Sequence, residues 1–410
     1  MAGELISIIG SGLTSFGLGV YVFQTTNNAS SVAFVTLLAF LPTILLSAPA
    51  GVLADRFDRR LLMIIGDGLS ALGLIYILIC MFNEKATLLN ICIGVLISSI
   101  FSSLLEPSYR ATITDLLTEE QFAKASGFVQ MAGSSKFLLS PIIAGFLLSV
   151  STIELLLIID IATFFITVST TLFVKKGLKS TSKATDNSFI EDFKIGFNAI
   201  RSNKGIFILI ILMSVMTFYL GFIQTLFTPL VLSFSNSKTL GTMETISAMG
   251  MLVSSLIIGI AHIKNNYTKM LGIGFICSGI FMAGVGFRAN LFIIGLFGFL
   301  FFASLPFINT SADCLVRMNI ENSLQGRVWG LIGIISQLGY VTAYAIVGFL
   351  ADNIFEPMLS ENGILNDSIG KIIGVGQGRG IGFLLIVGGI FMIITAVLML
   401  NNKSIKSLEV

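Results

Sequence analysis

The chain has 410 residues, 55% apolar and 11% charged, with a net charge of +2 at pH 7. A soluble domain carries roughly 25% charge, so this composition excludes an ordinary water-soluble protein. The near-neutral balance, with no basic face or stripe, excludes a nucleic-acid binder.

In chain order, twelve apolar segments are long enough to cross a bilayer core of about 30 Å as helices. They run 3–24, 32–54, 61–81, 88–107, 123–149, 153–174, 205–232, 240–262, 268–287, 290–312, 326–351 and 380–400, and are numbered here as spans 1 to 12. Helices are expected because a lone strand in lipid leaves its backbone groups unpaired. The N-terminal stretch MAGELISIIG has Glu4 where a signal peptide carries basic residues, so it is expected to be the first membrane helix.

With both termini on the cytoplasmic side, lysine and arginine divide 18 to the inner loops and 5 to the outer ones, with Lys136 inside span 5 completing the 24. That asymmetry satisfies the positive-inside rule. The expected domains are 1–174, a cytoplasmic linker 175–204, then 205–403 with an outer loop 352–379, and a cytoplasmic tail 404–410. Within the linker, Phe189, Ile190, Phe193, Phe197 and Ile200 lie among charges, the pattern of a short amphipathic helix on the inner membrane face. An ordinary connector is the alternative.

Six spans precede the linker and six follow it. GVLADRFDRR (51–60) closes span 2, and GIAHIKNNYT (from Gly259) closes span 8 at the matching place. EEQFAKASG ahead of span 5 is echoed by NSLQGRVWG ahead of span 11. Parallel halves related by an axis along the membrane normal are a known secondary-transporter layout.

The run GVLADRFDRR resembles the inner signature between helices 2 and 3 of the major facilitator superfamily, G-x-x-x-D-R-x-x-R-R/K. SFIEDFKIGFNAIRSNKGIF (188–207), LLTEEQFAKASGFVQ and FLLSPIIAGFLL resemble the drug-exporter branch of that superfamily, which includes macrolide efflux and enterobactin exporter proteins. The resemblance implies an all-α membrane protein with the major facilitator fold: twelve transmembrane helices in two six-helix bundles. It implies efflux of a small hydrophobic or amphipathic substrate from a bacterial cell by proton antiport, in a membrane-embedded monomer without cofactor or metal. A siderophore, peptide or lipid exporter is an alternative; a non-transporting sensor or assembly protein is another of a different class. It also implies an inner-gate latch. Gly51 lets span 2 approach its neighbour, Asp55 faces the N-terminus of span 11 near Gly326 to Gly330, and Arg56, Arg59 and Arg60 reach carboxylates or helix C-termini. A plain topology anchor is the alternative. The second copy is eroded: Ile263, Tyr267 and Thr268 stand where Asp55, Arg59 and Arg60 stand in the first, so the latch is expected to be one-sided. Relatives usually carry a basic, aromatic stretch before the first helix, which the sequence here does not show.

Ionisable groups at lipid depth are expensive and mark functional candidates. Lys136 in span 5 needs a carboxylate or a water-filled cavity, and Asp160 in span 6 is the first acid to try as its partner. Asp67 in span 3 belongs either to the latch or to a proton or cation path. Glu244 and Glu154 are expected near the outer surface.

The resemblance places the cavity on spans 1, 4, 7 and 10. There, Thr14, Phe218, Tyr219, Phe222, Gln224, Phe302 and Asn309 suit a large, mostly apolar substrate. In the outer loop, Ile364, Leu365, Ile369, Ile372 and Ile373 form either a lid over the pore or an ordered cap. GVGQGRG lacks the G-K-[ST] ending of a phosphate loop. The single histidine, His262, rules out a histidine-rich metal site, and the four cysteines lack C-x-x-C spacing. No nucleophile and base can be paired, so an enzyme is not expected.

Overall fold

The computed structural model describes residues 2–116, 129, 131–173, 189–261 and 266–409. Lys124, the lysines from 175 to 183, His262, Ile263 and Lys264 lie outside the described residues, as do the side chains of Glu4, Asp55 and Arg110.

Every described element is helical. The first part of the chain forms α1 (Ala2–Thr26), α2 (Ala29–Leu45), α3 (Ser47–Arg56), α4 (Arg59–Phe82), α5 (Leu88–Ser102), α6 (Leu105–Leu116), α7 (Met131–Val150) and α8 (Ile153–Phe173). Then come α9 (Phe189–Ser202), α10 (Lys204–Leu232), α11 (Ser237–Ile260), α12 (Tyr267–Phe287), α13 (Leu291–Asn319), α14 (Asn322–Leu350), α15 (Gly370–Ile373), α16 (Arg379–Asn401) and α17 (Lys403–Lys406). Side-chain caps start several of them: Asp58 caps α4, Thr87 α5, Asn203 α10 and Asn290 α13.

Among the described residues, eleven helices are long and apolar enough to cross a membrane, and Ala29–Leu45 is a shorter apolar helix. The shortfall against twelve arises in span 2, expected as one helix over 32–54. It is broken at Leu46 into α2 and α3. Proline explains the position: its ring clashes with the carbonyl four residues earlier and it donates no hydrogen bond. Pro49 therefore acts on Leu45, where α2 ends. The same offset from Pro107 falls on Ser103, the residue after α5, so span 4 is likewise split.

The residues fall into two compact units. Unit 1 is Met1–Asn27, Ser31–Ala184 and Asn236–Thr242; unit 2 is Asn28–Ser30, Thr185–Ser235 and Met243–Val410. In unit 1, α1 packs on α7 and α8, and α4 packs on α5 and α8. In unit 2, α10 packs on α14 and α16, and α12 packs on α13 and α16. Counted by span, pairs 1–5, 1–6, 3–4 and 3–6 recur as 7–11, 7–12, 9–10 and 9–12. The internal repeat read from the sequence thus reappears as repeated packing.

The linker's second half is α9. Its buried side, Gly196 and Ile200, faces inward, with Gly196 against Arg327 and Leu331 of α14. Phe193 and Phe197 are stacked at 6.4 Å on the exposed side, where an apolar membrane face is expected.

Candidate functional site

The buried polar centre of unit 1 gathers around Asp160 of α8, which is 1% exposed. Ser11 of α1 and Thr163 of α8 each donate a hydroxyl to its Oδ1 at 3.4 Å. Thr14, one turn along α1 from Ser11, is buried, and the stem of Lys136 of α7 packs beside Gly12 of α1. Two helices, α1 and α8, therefore contribute to one carboxylate. Glycine makes the room. A Cβ on Gly10 would stand 2.8 Å from Asp160 Oδ1, and one on Gly12 would stand 3.2 Å from Lys136 Cγ. Sequence reasoning placed Lys136 and Asp160 as trial partners and Thr14 in a substrate cavity. The structure places Asp160 beside Gly10 and Ser11 and Lys136 beside Gly12, all along α1, where Thr14 is also buried. Such a carboxylate, flanked by two hydroxyls that can donate or accept, can hold or release a proton at lower cost than a bare charge in lipid.

Asp67 is buried separately, 2% exposed on α4. In unit 2, Glu244 lies in the second turn of α11, and Thr228 of α10 donates to its Oε1 at 3.5 Å. Glu244 is half-buried there, near the start of its helix.

In the run GVLADRFDRR, Asp58 accepts from the Arg60 backbone at 2.9 Å and so starts α4. Arg60 Nε donates to the Thr171 carbonyl at 2.7 Å, and its Nη2 donates to that of Leu172. These are carbonyls of the last turn of α8, the negative end of its dipole. Arg60 therefore ties two helices of the same unit together, and it serves unit 1 as a brace. Arg59 donates to the Ala54 carbonyl at 3.1 Å, closing the turn from α3 to α4, and Arg56 is exposed. Among the described residues, no atom comes within 4 Å of a Cβ built on Gly51. Arg60→Ala is expected to remove the α8 cap and lower the thermal midpoint of the purified protein, at a cost of about 1–2 kcal/mol.

The expected substrate residues separate. Tyr219 and Phe222 are 6% and 4% exposed, packed within unit 2, with the Phe222 ring against Gly388. Both rings are engaged in helix packing in this structure. Phe218, Gln224, Phe302 and Asn309 stay half-buried. Phe218 meets Phe222 at 5.8 Å, and Phe302 meets Phe301 edge-on at 5.5 Å. Asn309 lines a cavity of about 170 Å³ with Thr217, Met213, Met216 and Phe275. Sequence reasoning missed the tyrosine pair on α14. Tyr344 donates to Gln224 Oε1 at 2.8 Å, and Tyr340 lies 5.9 Å from Tyr344. Two tyrosines four residues apart share a helix face, and that signal is present in span 11.

In the outer loop, Ile369, Ile372 and Ile373 meet Phe287, Phe297 and Phe383 around an apolar cavity of about 440 Å³. These residues cap the ends of α12, α13 and α16 in unit 2. Ile364, by contrast, is 90% exposed. Near the C-terminal end of α13, the Arg317 guanidinium sits 5.5 Å from the ring centre of Trp329.

The repeated packing of two helical units, one with a buried carboxylate at its centre, has a counterpart among known families. The Major Facilitator Superfamily matches residues 1–341. The chain belongs to the Major Facilitator Superfamily. It is accordingly a multi-pass secondary transporter of the alternating-access class and not an enzyme. It is 28% identical over 367 residues to macrolide efflux protein A of Streptococcus pyogenes, covering 86% of this chain and 88% of that one. It is 28% identical over 320 residues to macrolide efflux protein A of Enterococcus faecalis, covering 76% and 98%. The nucleoside transporter NupG superposes with a TM-score of 0.74 over 98% of both chains at 16% identity, a likeness of fold.

Proposed function

We propose that this protein exports hydrophobic or amphipathic compounds, of the macrolide kind, by proton antiport across a bacterial cell membrane. It works as a monomer with both termini in the cytoplasm. The observation that carries this reading is the Asp160 carboxylate, buried beside Ser11 and Thr163, with Thr14 and the stem of Lys136 along the same helix α1. A coupled exchanger needs a group that takes a proton in one state and gives it up in the other. Alternating access supplies the change of surroundings, and differential affinity for the two states links proton to substrate. The kinship with macrolide efflux proteins supports the direction and the substrate class. So do the half-buried Phe218 and Phe302 and the amide of Asn309, which give a mostly apolar surface with scattered polar groups.

In this reading the run from Gly51 to Arg60 is the inner latch. Asp55 engages the N-terminus of α14 in one state, and Arg60 holds the turn in place.

Inside-out vesicles carrying the purified protein test the coupling. A fluorescent macrolide is expected to accumulate when the lumen is acidified, and a protonophore is expected to abolish that accumulation. Accumulation unchanged by the protonophore overturns antiport. Exported metabolites screened in a deletion strain then distinguish a drug from a siderophore, peptide or lipid cargo.

A further inference from the structure

The run GFLAD, Gly348 to Asp352, crosses the end of span 11, and GVLAD, Gly51 to Asp55, crosses the end of span 2. Each sets an aspartate just beyond its apolar span, and the helix that carries Asp352 runs on through a π-helical turn to Met358. A carboxylate at the edge of the membrane is costly without a partner. Such a placement makes sense where the carboxylate meets another helix's positive end. For Asp352 the structure displays that partner. Its carboxylate accepts from the backbone of Ala29 at 2.9 Å, from the backbone of Ser30 at 2.7 Å, and from the Ser30 hydroxyl. Ala29 and Ser30 open α2. Asn28–Ser30 group with unit 2, and the rest of α2 groups with unit 1. Asp352 also lies in a π-helical turn, Ala351–Phe355, a wide-turn geometry that recurs at functional positions.

We propose that Asp352 is a positioning residue of the transport cycle, an outer latch reciprocal to Asp55. In one state Asp352 grips the first turn of α2. In the other state Asp55, at the end of α3, grips the first turn of α14, and the two bonds are exclusive. The proposal rests on the alternating-access class of the chain and on the inner-latch reading, not on its substrate or coupling ion. It assigns span 2 and span 11 a mutual role: each offers its N-terminus to the other's terminal aspartate, at opposite ends. Glu356, one turn further on, accepts from Ile381 and Gly378 at 3.1 and 3.3 Å and caps α16 within unit 2. It is the static counterpart and serves as a control.

Hydrogen exchange followed by mass spectrometry on the purified full chain in lipid nanodiscs tests this directly. In Asp352→Ala, exchange at Ala29 and Ser30 is expected to rise about tenfold or more, the loss of charge-assisted bonds of typical strength. At the same time exchange over 322–326, the first turn of α14, is expected to slow as the opposite state gains population. A second substitution, Asp55→Asn, is expected to cancel that slowing. Glu356→Gln is expected to affect exchange near Ile381 and leave both latch segments unchanged. A faster first turn of α2 with no slowing over 322–326 means that Asp352 is a structural cap and overturns the proposal. So does unchanged exchange at Ala29 and Ser30. Failure of the protonophore test, by contrast, leaves these exchange results untouched.

Discussion

Asp160→Asn is expected to leave the protein able to equilibrate substrate but unable to concentrate it. Each pH unit across a membrane is worth about 1.4 kcal/mol per proton, or about tenfold accumulation per proton exchanged. Asparagine keeps the size and one acceptor for Ser11 and Thr163, yet carries no proton through the cycle. The roughly tenfold accumulation driven by one pH unit should therefore vanish, and transport should lose its dependence on the gradient. In the pairing expected from the sequence, the substitution also leaves the Lys136 ammonium without its carboxylate. Breaking one side of a buried charge pair costs about 3–5 kcal/mol, whereas replacing both sides by apolar groups is often neutral. The double variant Asp160→Asn/Lys136→Met is thus expected to recover expression and thermal midpoint but not accumulation. Vesicle uptake at matched protein levels checks both statements. Gradient-driven uptake retained in the single variant would show that another carboxylate carries the proton, and Glu244 or Asp67 would then be tried.

Gly286→Leu is expected to prevent unit 2 from assembling. On α12 and α16, Gly279 faces Gly389 and Gly286 faces Gly382, two glycine pairs seven residues apart on antiparallel helices. A Cβ on Gly279 would stand 2.6 Å from the Gly389 carbonyl oxygen, and one on Gly389 would stand 2.9 Å from the Ala283 nitrogen. At Gly286 the obstacle is likewise backbone, the Gly382 carbonyl. Small residues let transmembrane helices approach this closely, and the resulting contact replaces the hydrophobic driving force that lipid does not supply. Overpacking a core with a side chain that can shift costs about 1–3 kcal/mol. Here backbone must move along two helices, so the expected cost is at the upper end of that range or beyond, about 3 kcal/mol or more. Gly259→Leu is the control, since among the described residues no atom lies within 4 Å of a Cβ there. Size-exclusion profiles in detergent and thermal midpoints distinguish the two. A monodisperse Gly286→Leu protein with an unshifted midpoint would overturn the packing account.

Much was legible in the sequence because the bilayer imposes its own arithmetic. Runs of about 20 apolar residues have to be helices. The repeat, the turn after span 2 and the helical second half of the linker followed from local pattern as well. Even the breaks in spans 2 and 4 were latent there, in Pro49 and Pro107 with their four-residue reach back to Leu45 and Ser103. Two unusual residues, Lys136 and Asp160, stood out by cost alone.

What the sequence could not settle is which face of each helix meets which neighbour. An apolar helix shows almost no amphipathic stripe in lipid, because both its packed and its lipid-facing sides are apolar. Hence the sequence left open that the Phe222 ring packs on Gly388, and that the helix end Arg60 reaches is that of α8. Ser11 and Thr163 became a carboxylate's surroundings only when α1 packed on α8. The same holds for Asp352. By sequence it was one acid at the start of a loop. The pairing with Ala29 and Ser30, 323 and 322 residues away, exists only in three dimensions, because a carboxylate selects a helix N-terminus by position and not by neighbouring residues.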